Sequence, residues 1–96
     1  MPTYDTLAAF DRDYGRLSPA QRVLVRAAVV AFVADLKTGT FRAGLRVKRV
    51  AGRHGVWEMT WDDDGRATFH YGPEQRSNEP HVVWRRIGSH DIFRNP

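Results

Sequence analysis

A chain of 96 residues makes one domain, 1–96, large enough to bury a core and too small to divide in two. The absence of cysteine excludes disulfides and thiolate metal sites, and no apolar run is long enough to span a membrane. The formal charge is +4, but Asp62, Asp63 and Asp64 stand together, so elsewhere 15 basic residues face only 8 acidic ones. That balance favours polyanionic partners through counterion release, with nucleic acid first among them; ordinary surface lysines and arginines explain it equally well. The N-terminus lacks a basic stretch followed by an apolar run, so no signal peptide and a cytoplasmic location are expected.

In chain order, Thr3–Leu7 reads as a short strand, followed by a helical turn over Ala8–Tyr14 that Gly15 closes. Ser18-Pro19-Ala20-Gln21 is a helix start: serine caps, proline suits the first helical position, and Gln21 completes a capping box. The helix should run to about Lys37 and stop at Thr38-Gly39. Leu24, Ala27, Ala28, Ala31 and Phe32 form one apolar side, yet Val29 and Val33 continue the line of Arg22, Arg26 and Lys37. The second half is therefore apolar nearly all round. Either the first helix covers this Val29/Val33 stripe, or the stripe is an exposed groove for a partner segment.

LRVKRV (residues 45–50) follows as a strand, with Leu45 and Val47 on one face and Arg46 and Lys48 on the other. Arg49 breaks the alternation and needs an edge position or a bulge. After a turn at Ala51–His54, the stretch Gly55–Gly72 reads as a β-hairpin whose Asp63-Asp64-Gly65 supplies the positive φ angles of a tight turn. One hairpin face carries Trp57, Met59, Trp61, Ala67, Phe69 and Tyr71. The other carries Val56, Glu58, Thr60, Arg66, Thr68 and His70. A polar loop, Pro73–Pro80, leads to the last strand, HVVWRRIG, and SHDIFRNP forms a loop or helical turn. The fold class is α+β: two N-terminal helices packed on the aromatic face of a small, antiparallel-rich sheet.

The opposite face gathers Arg46, Lys48, Glu58, Thr60, Arg66, Thr68 and His70, a set able to bind and cleave a phosphodiester. Cations hold the phosphate, Glu58 takes a proton from a 2′-hydroxyl, and a histidine returns one to the leaving oxygen. Arg66 beside Glu58 would keep that carboxylate ionised. The plainer reading makes Glu58 and Arg66 a cross-strand ion pair, His54 a turn residue, His81 a loop-edge residue and His90 a seal, with Phe93, on the end of the sheet. The four histidines show no metal spacing, and neither metal nor cofactor is expected.

The succession LRVKRV, GVWEMTW, GRATFHYG and VVWRRIGSHDIF resembles the RelE/ParE superfamily of bacterial toxin–antitoxin toxins, on the RelE-like side, and covers most of the chain. The resemblance implies a RelE-like fold and an mRNA endonuclease acting in the ribosomal A site without metal, leaving a 2′,3′-cyclic phosphate and a 5′-hydroxyl. It implies Glu58 as base, Arg66 as the phosphate grip and His90 as acid. Arg46, Lys48, Arg49 and His70 would hold RNA, and Phe93 would stack on a base. The family's frequent C-terminal catalytic tyrosine is absent, which favours a Glu58/His90 pair. A cognate antitoxin is implied too, with Arg22, Arg26, Val29 and Val33 as its landing place. Two alternatives stay open: a non-catalytic ParE-like toxin with a protein target such as gyrase, and an inactive RNA-binding or interaction module.

Overall fold

The computed structural model describes residues 2–96. Strand β1 (Thr3–Thr6) leads into helices α1 (Ala8–Gly15) and α2 (Pro19–Thr38). A 3-10 turn (Ala43–Leu45) precedes β2 (Lys48–Arg49), β3 (Trp57–Thr60), β4 (Arg66–Arg76) and β5 (Glu79–Gly88), and a second 3-10 segment (His90–Arg94) follows. The five strands form one sheet in the order β1-β5-β4-β3-β2. β1 runs parallel to β5, and every other neighbouring pair is antiparallel.

Helix α2 starts as the sequence predicts. Ser18 Oγ accepts from the Gln21 amide, and the Gln21 side chain accepts from the Ser18 amide. Gly39 stops the helix at φ 80°, a left-handed conformation that costs glycine little. Arg42 then ties the following loop back to Asp35 at 2.8 and 2.9 Å, and these side-chain hydrogen bonds hold the Asp35 carboxyl down to about 2.

The core lies between the helices and the aromatic face of the sheet. Phe32 meets Phe69 edge-on at 5.0 Å and Trp84 at 5.1 Å, while Phe41 stacks on Phe32 at 5.1 Å. Met59, Ala67 and Phe69 are buried beneath the helices, as strand alternation requires. The phase of α2 differs from the expected one: Val25 and Phe32 are buried and Leu24 is exposed. Val29 and Val33 pack against the core, so they form no exposed stripe; Val23 and Val30 face outward. A helix apolar on nearly every side leaves its rotation to the sheet it meets.

Three further expectations are corrected. LRVKRV is not one strand: Ala43–Leu45 is a 3-10 turn, Arg46 takes a left-handed conformation at φ 49°, and only Lys48 and Arg49 pair. The expected loop Pro73–Pro80 is instead the far end of the β4–β5 hairpin, with Arg76 opposite Glu79. His81 lies buried within β5, Nδ1 2.7 Å from Thr3 Oγ1 and Nε2 3.0 Å from Asp5 Oδ2, tying the parallel edge strand to the sheet.

The β3–β4 turn is closed by hydrogen bonds from the Gly65 amide to Asp62 and from the Trp61 amide to Gly65. Gly65 is not among the positive-φ glycines. It is needed for space, because a Cβ there would lie 2.6 Å from the Trp61 ring. Gly65→Ala should therefore cost about 1–3 kcal/mol, the usual range for overpacking. Urea unfolding followed by tryptophan fluorescence would measure it, and an unchanged midpoint would mean that the indole moves aside without penalty.

Candidate active site

The face turned away from the helices holds two groups of polar side chains. The first lies across the middle of the sheet, where Glu58 of β3 stands opposite Lys48 of β2 and Thr68 of β4. The Glu58 side chain is only 11% exposed, with Lys48 Nζ 4.0 Å from its carboxylate. Thr68 is fully buried, and its hydroxyl accepts from the Arg86 amide at 3.1 Å. Next to it the β4–β5 register slips: Thr68 pairs with Arg86 but Phe69 pairs with Trp84, leaving Arg85 as the extra residue of a bulge.

The bulge sends the adjacent arginines to different partners. Arg86 turns to α1, where Nε and Nη2 donate to Asp13 at 2.6 and 3.2 Å, and the same carboxylate accepts from the Ile87 amide. Arg85 donates through Nη1 to His70 Nδ1 at 3.0 Å, and through Nε and Nη2 to the Pro96 carbonyl at 3.4 Å. Since arginine only donates, Nδ1 of His70 is the acceptor and a neutral His70 carries its proton on Nε2. Burial, and then the charges of Arg85 and His81, push the His70 pKa below the usual histidine value.

The second group sits at the turn end of the same hairpin. Arg66 is buried, and its Nη1 donates to the carbonyls of Asp62, Asp63 and Gly65 at 3.1, 3.1 and 2.9 Å. His90, exposed on the 3-10 segment after β5, places Nδ1 2.8 Å from Asp64 Oδ1, which lowers the Asp64 pKa. That contact leaves Nε2 as the outward nitrogen, and Phe93 packs edge-on against the ring at 5.5 Å.

Glu58, Arg66 and His90 are thus divided between the two groups. Arg66 stands opposite Thr60 and Gly88, one pleat, about 7 Å, along the strand from the Glu58–Thr68 row. The expected Glu58–Arg66 ion pair does not form; among the described residues the cation near Glu58 is Lys48, and Arg66 is committed to the turn. Arg46, held on the 3-10 turn, is exposed but off the strand. Arg49 occupies the edge strand, one of the two placements its pattern allowed, and lies over Trp57 on the helix-side face. Arg22 is spent on the α1–α2 junction, donating to the carbonyls of Tyr14 and Gly15, whereas Arg26 is exposed beside a shallow apolar groove lined by Tyr4, Phe10, Val29, Val30 and Trp84. Among the described residues no group of three histidine, aspartate or glutamate side chains is placed to hold a metal.

Three polar residues at the site were not picked out by sequence reasoning. Arg85 had a signal: a core-facing Trp84 puts the next side chain on the open face. Asp13, which captures Arg86, and Asp64, which orients His90, act across the fold and left no local pattern.

No protein-family model matches this sequence, and no curated protein does. Solved structures match along nearly the whole chain. The RelB–RelE antitoxin–toxin complex from Methanococcus jannaschii matches with a TM-score of 0.63 and 10% identity over 95% of both chains. YafQ from E. coli matches with a TM-score of 0.63 and 10% identity over 97% of this chain and 98% of its own. The YoeB/ParE toxin from Agrobacterium tumefaciens gives 0.65 and 12% over 92% and 98%. The chain therefore has the fold of the RelE/ParE-type toxins, an α+β arrangement of two helices on a five-stranded sheet.

His70 provides a measurable mark of the open face. Its folded pKa lies below its unfolded one, so the unfolded chain takes up the proton first. The histidine then subtracts stability as pH falls below about 6.5 and has no effect above that. Arg85→Met should raise the His70 midpoint, read from imidazole resonances by NMR. A midpoint unmoved by the substitution would leave burial and His81 as the causes.

Proposed function

We propose that this chain is the toxin of a toxin–antitoxin pair and cleaves mRNA at the ribosome as a metal-independent endoribonuclease. The observation that carries the reading is the row Lys48–Glu58–Thr68, with His70 and Arg85 beside it, on the sheet face turned away from the helices in a RelE-type fold.

In this mechanism Lys48 and Arg85 hold the non-bridging oxygens of the scissile phosphate, and the neutral His70 donates through Nε2 to the same group. Glu58 accepts the proton of the 2′-hydroxyl as that oxygen attacks phosphorus. The bond from phosphorus to the 5′-oxygen breaks, and protonated His90 gives the leaving oxygen its proton from Nε2, with Asp64 holding Nδ1. The products are a 2′,3′-cyclic phosphate and a 5′-hydroxyl. Arg66 positions the His90 end of the site by filling the turn that carries Asp64, while Arg46 and Arg49 meet RNA backbone and Phe93 supports His90 as a stacking surface. The antitoxin would lay an apolar segment along α2, where Val23, Leu24 and Val30 are exposed next to Val29, Val33 and Arg26.

Expression in a bacterium without the antitoxin, with mapping of new 5′-hydroxyl RNA ends, tests the reading. Wild type should give ends within coding sequence. Glu58→Gln and Arg85→Ala should each reduce them by about 10²-fold or more, and His90→Gln should act in the same direction. Growth arrest without new ends would sink the nuclease and point to a protein target. Arg66→Ala is a poor probe here, since it would also empty the turn of its hydrogen-bond donor.

A further inference from the structure

The sheet's β2 edge carries a second feature, on the face opposite the proposed cleavage site. Although Trp57 and Tyr71 lie on the helix-side face, the helices do not close over them: Trp57 is half-buried and Tyr71 is 43% exposed. Arg49 holds its guanidinium 5.2 Å over the Trp57 ring, and Trp57 meets Tyr71 edge-on at 6.2 Å. Tyr71 in turn rests on buried Phe69 at 5.7 Å, which fixes the ring from below.

The chain that leads through this edge is one-sided in charge. Between Asp35 and Glu58 the sequence has no carboxylate side chain but has Lys37, Arg42, Arg46, Lys48, Arg49 and Arg53. Among the described residues Arg42 is tied to Asp35 and Lys48 lies 4.0 Å from Glu58, while no ion pair holds Arg46, Arg49 or Arg53. A flat aromatic surface beside unpaired guanidinium groups suits a nucleobase and its phosphate better than an apolar protein segment, because every base has a π-face to stack and a backbone charge to neutralise. The two residues of β2 face opposite ways, Lys48 toward Glu58 and Arg49 toward Trp57. A strand of nucleic acid crossing this edge would touch both.

We propose that Arg49, Trp57 and Tyr71 form a stacking platform for a base of single-stranded RNA, which passes over the β2 edge from the open face. The platform rests on the reading of the open face as an RNA site, but it makes its own demands. It requires an aromatic ring at position 71 and no chemistry.

The test is binding of a short, mixed-sequence, fully 2′-O-methylated oligoribonucleotide, which has no 2′-hydroxyl to react. Tyr71→Ala should weaken binding about fivefold or more with an unchanged salt slope, as loss of one stacked base does. Tyr71→Phe should restore it, which a contact made by the phenolic hydroxyl would not allow. Arg49→Ala should flatten the plot of log K against log salt by about 0.7, the value for one phosphate on a single strand. Binding should also quench tryptophan emission, and Trp57→Phe should remove that quench while buried Trp61 and Trp84 remain. If the oligonucleotide fails to bind wild type, or if Tyr71→Ala binds within about twofold of wild type, the platform is excluded; the patch would then suit a protein partner. Cleavage is scored separately by 5′-hydroxyl ends. Tyr71-dependent binding without cleavage would sustain the platform and remove the nuclease, and cleavage with an inert Tyr71 would do the reverse.

Discussion

The contact of Phe32 with Phe69 and Trp84 is the constraint from which the rest of the molecule follows. Burying one such ring contributes about 1.5–3 kcal/mol and each well-oriented aromatic pair about 0.5–1.5 more. The larger effect is geometric. Once Phe69 and Trp84 face α2, alternation along β4 and β5 leaves Thr68, His70 and Arg85 no choice but the other side. Pairing of β3 with β4 then carries Glu58 to the same face. The polar row is the reverse side of the core.

Asp13 adds a selection between two adjacent arginines. A buried carboxylate cannot stay unpaired, and it takes Arg86 with two hydrogen bonds while accepting a third from the Ile87 amide. The bulge makes this possible by letting Arg85 and Arg86 leave the strand in different directions, and Thr68 satisfies the amide that the slipped register exposes. One arginine is thereby spent on docking α1, and its neighbour stays at the open face. The helix layer and the sheet's chemistry are linked through a single carboxylate.

Local chemistry was legible in the sequence wherever a few neighbouring residues decide the outcome. The Ser18–Gln21 capping box, the Gly39 stop and the inward Trp57-Met59 and Ala67-Phe69 alternation all needed only short-range rules. The break in alternation at Arg49 was readable for the same reason, as an edge or a bulge. What failed to show was set by distant partners. The rotation of α2 could not be read because too many of its sides are apolar, and Arg46 left the strand because a 3-10 turn shortened it to two residues. The separation of Arg66 from Glu58 depends on backbone carbonyls of the turn, groups that a side-chain pattern does not display. Arg85 would follow from a core-facing Trp84, but neither that facing nor the bulge was decided by the local pattern.

The segment after β5 reaches back to the sheet: the Asn95 carbonyl accepts from Arg86 at 3.1 Å, and the buried Pro96 offers its own to Arg85. Anything joined to the chain after Pro96 would leave from beside Arg85, which donates both to the Pro96 carbonyl and to His70. A fusion there would crowd the side of the sheet that carries Thr68, His70 and Arg85. Immobilisation or labelling is better directed to the exposed tip of the β4–β5 hairpin near Ser77, far along the strands from Arg85.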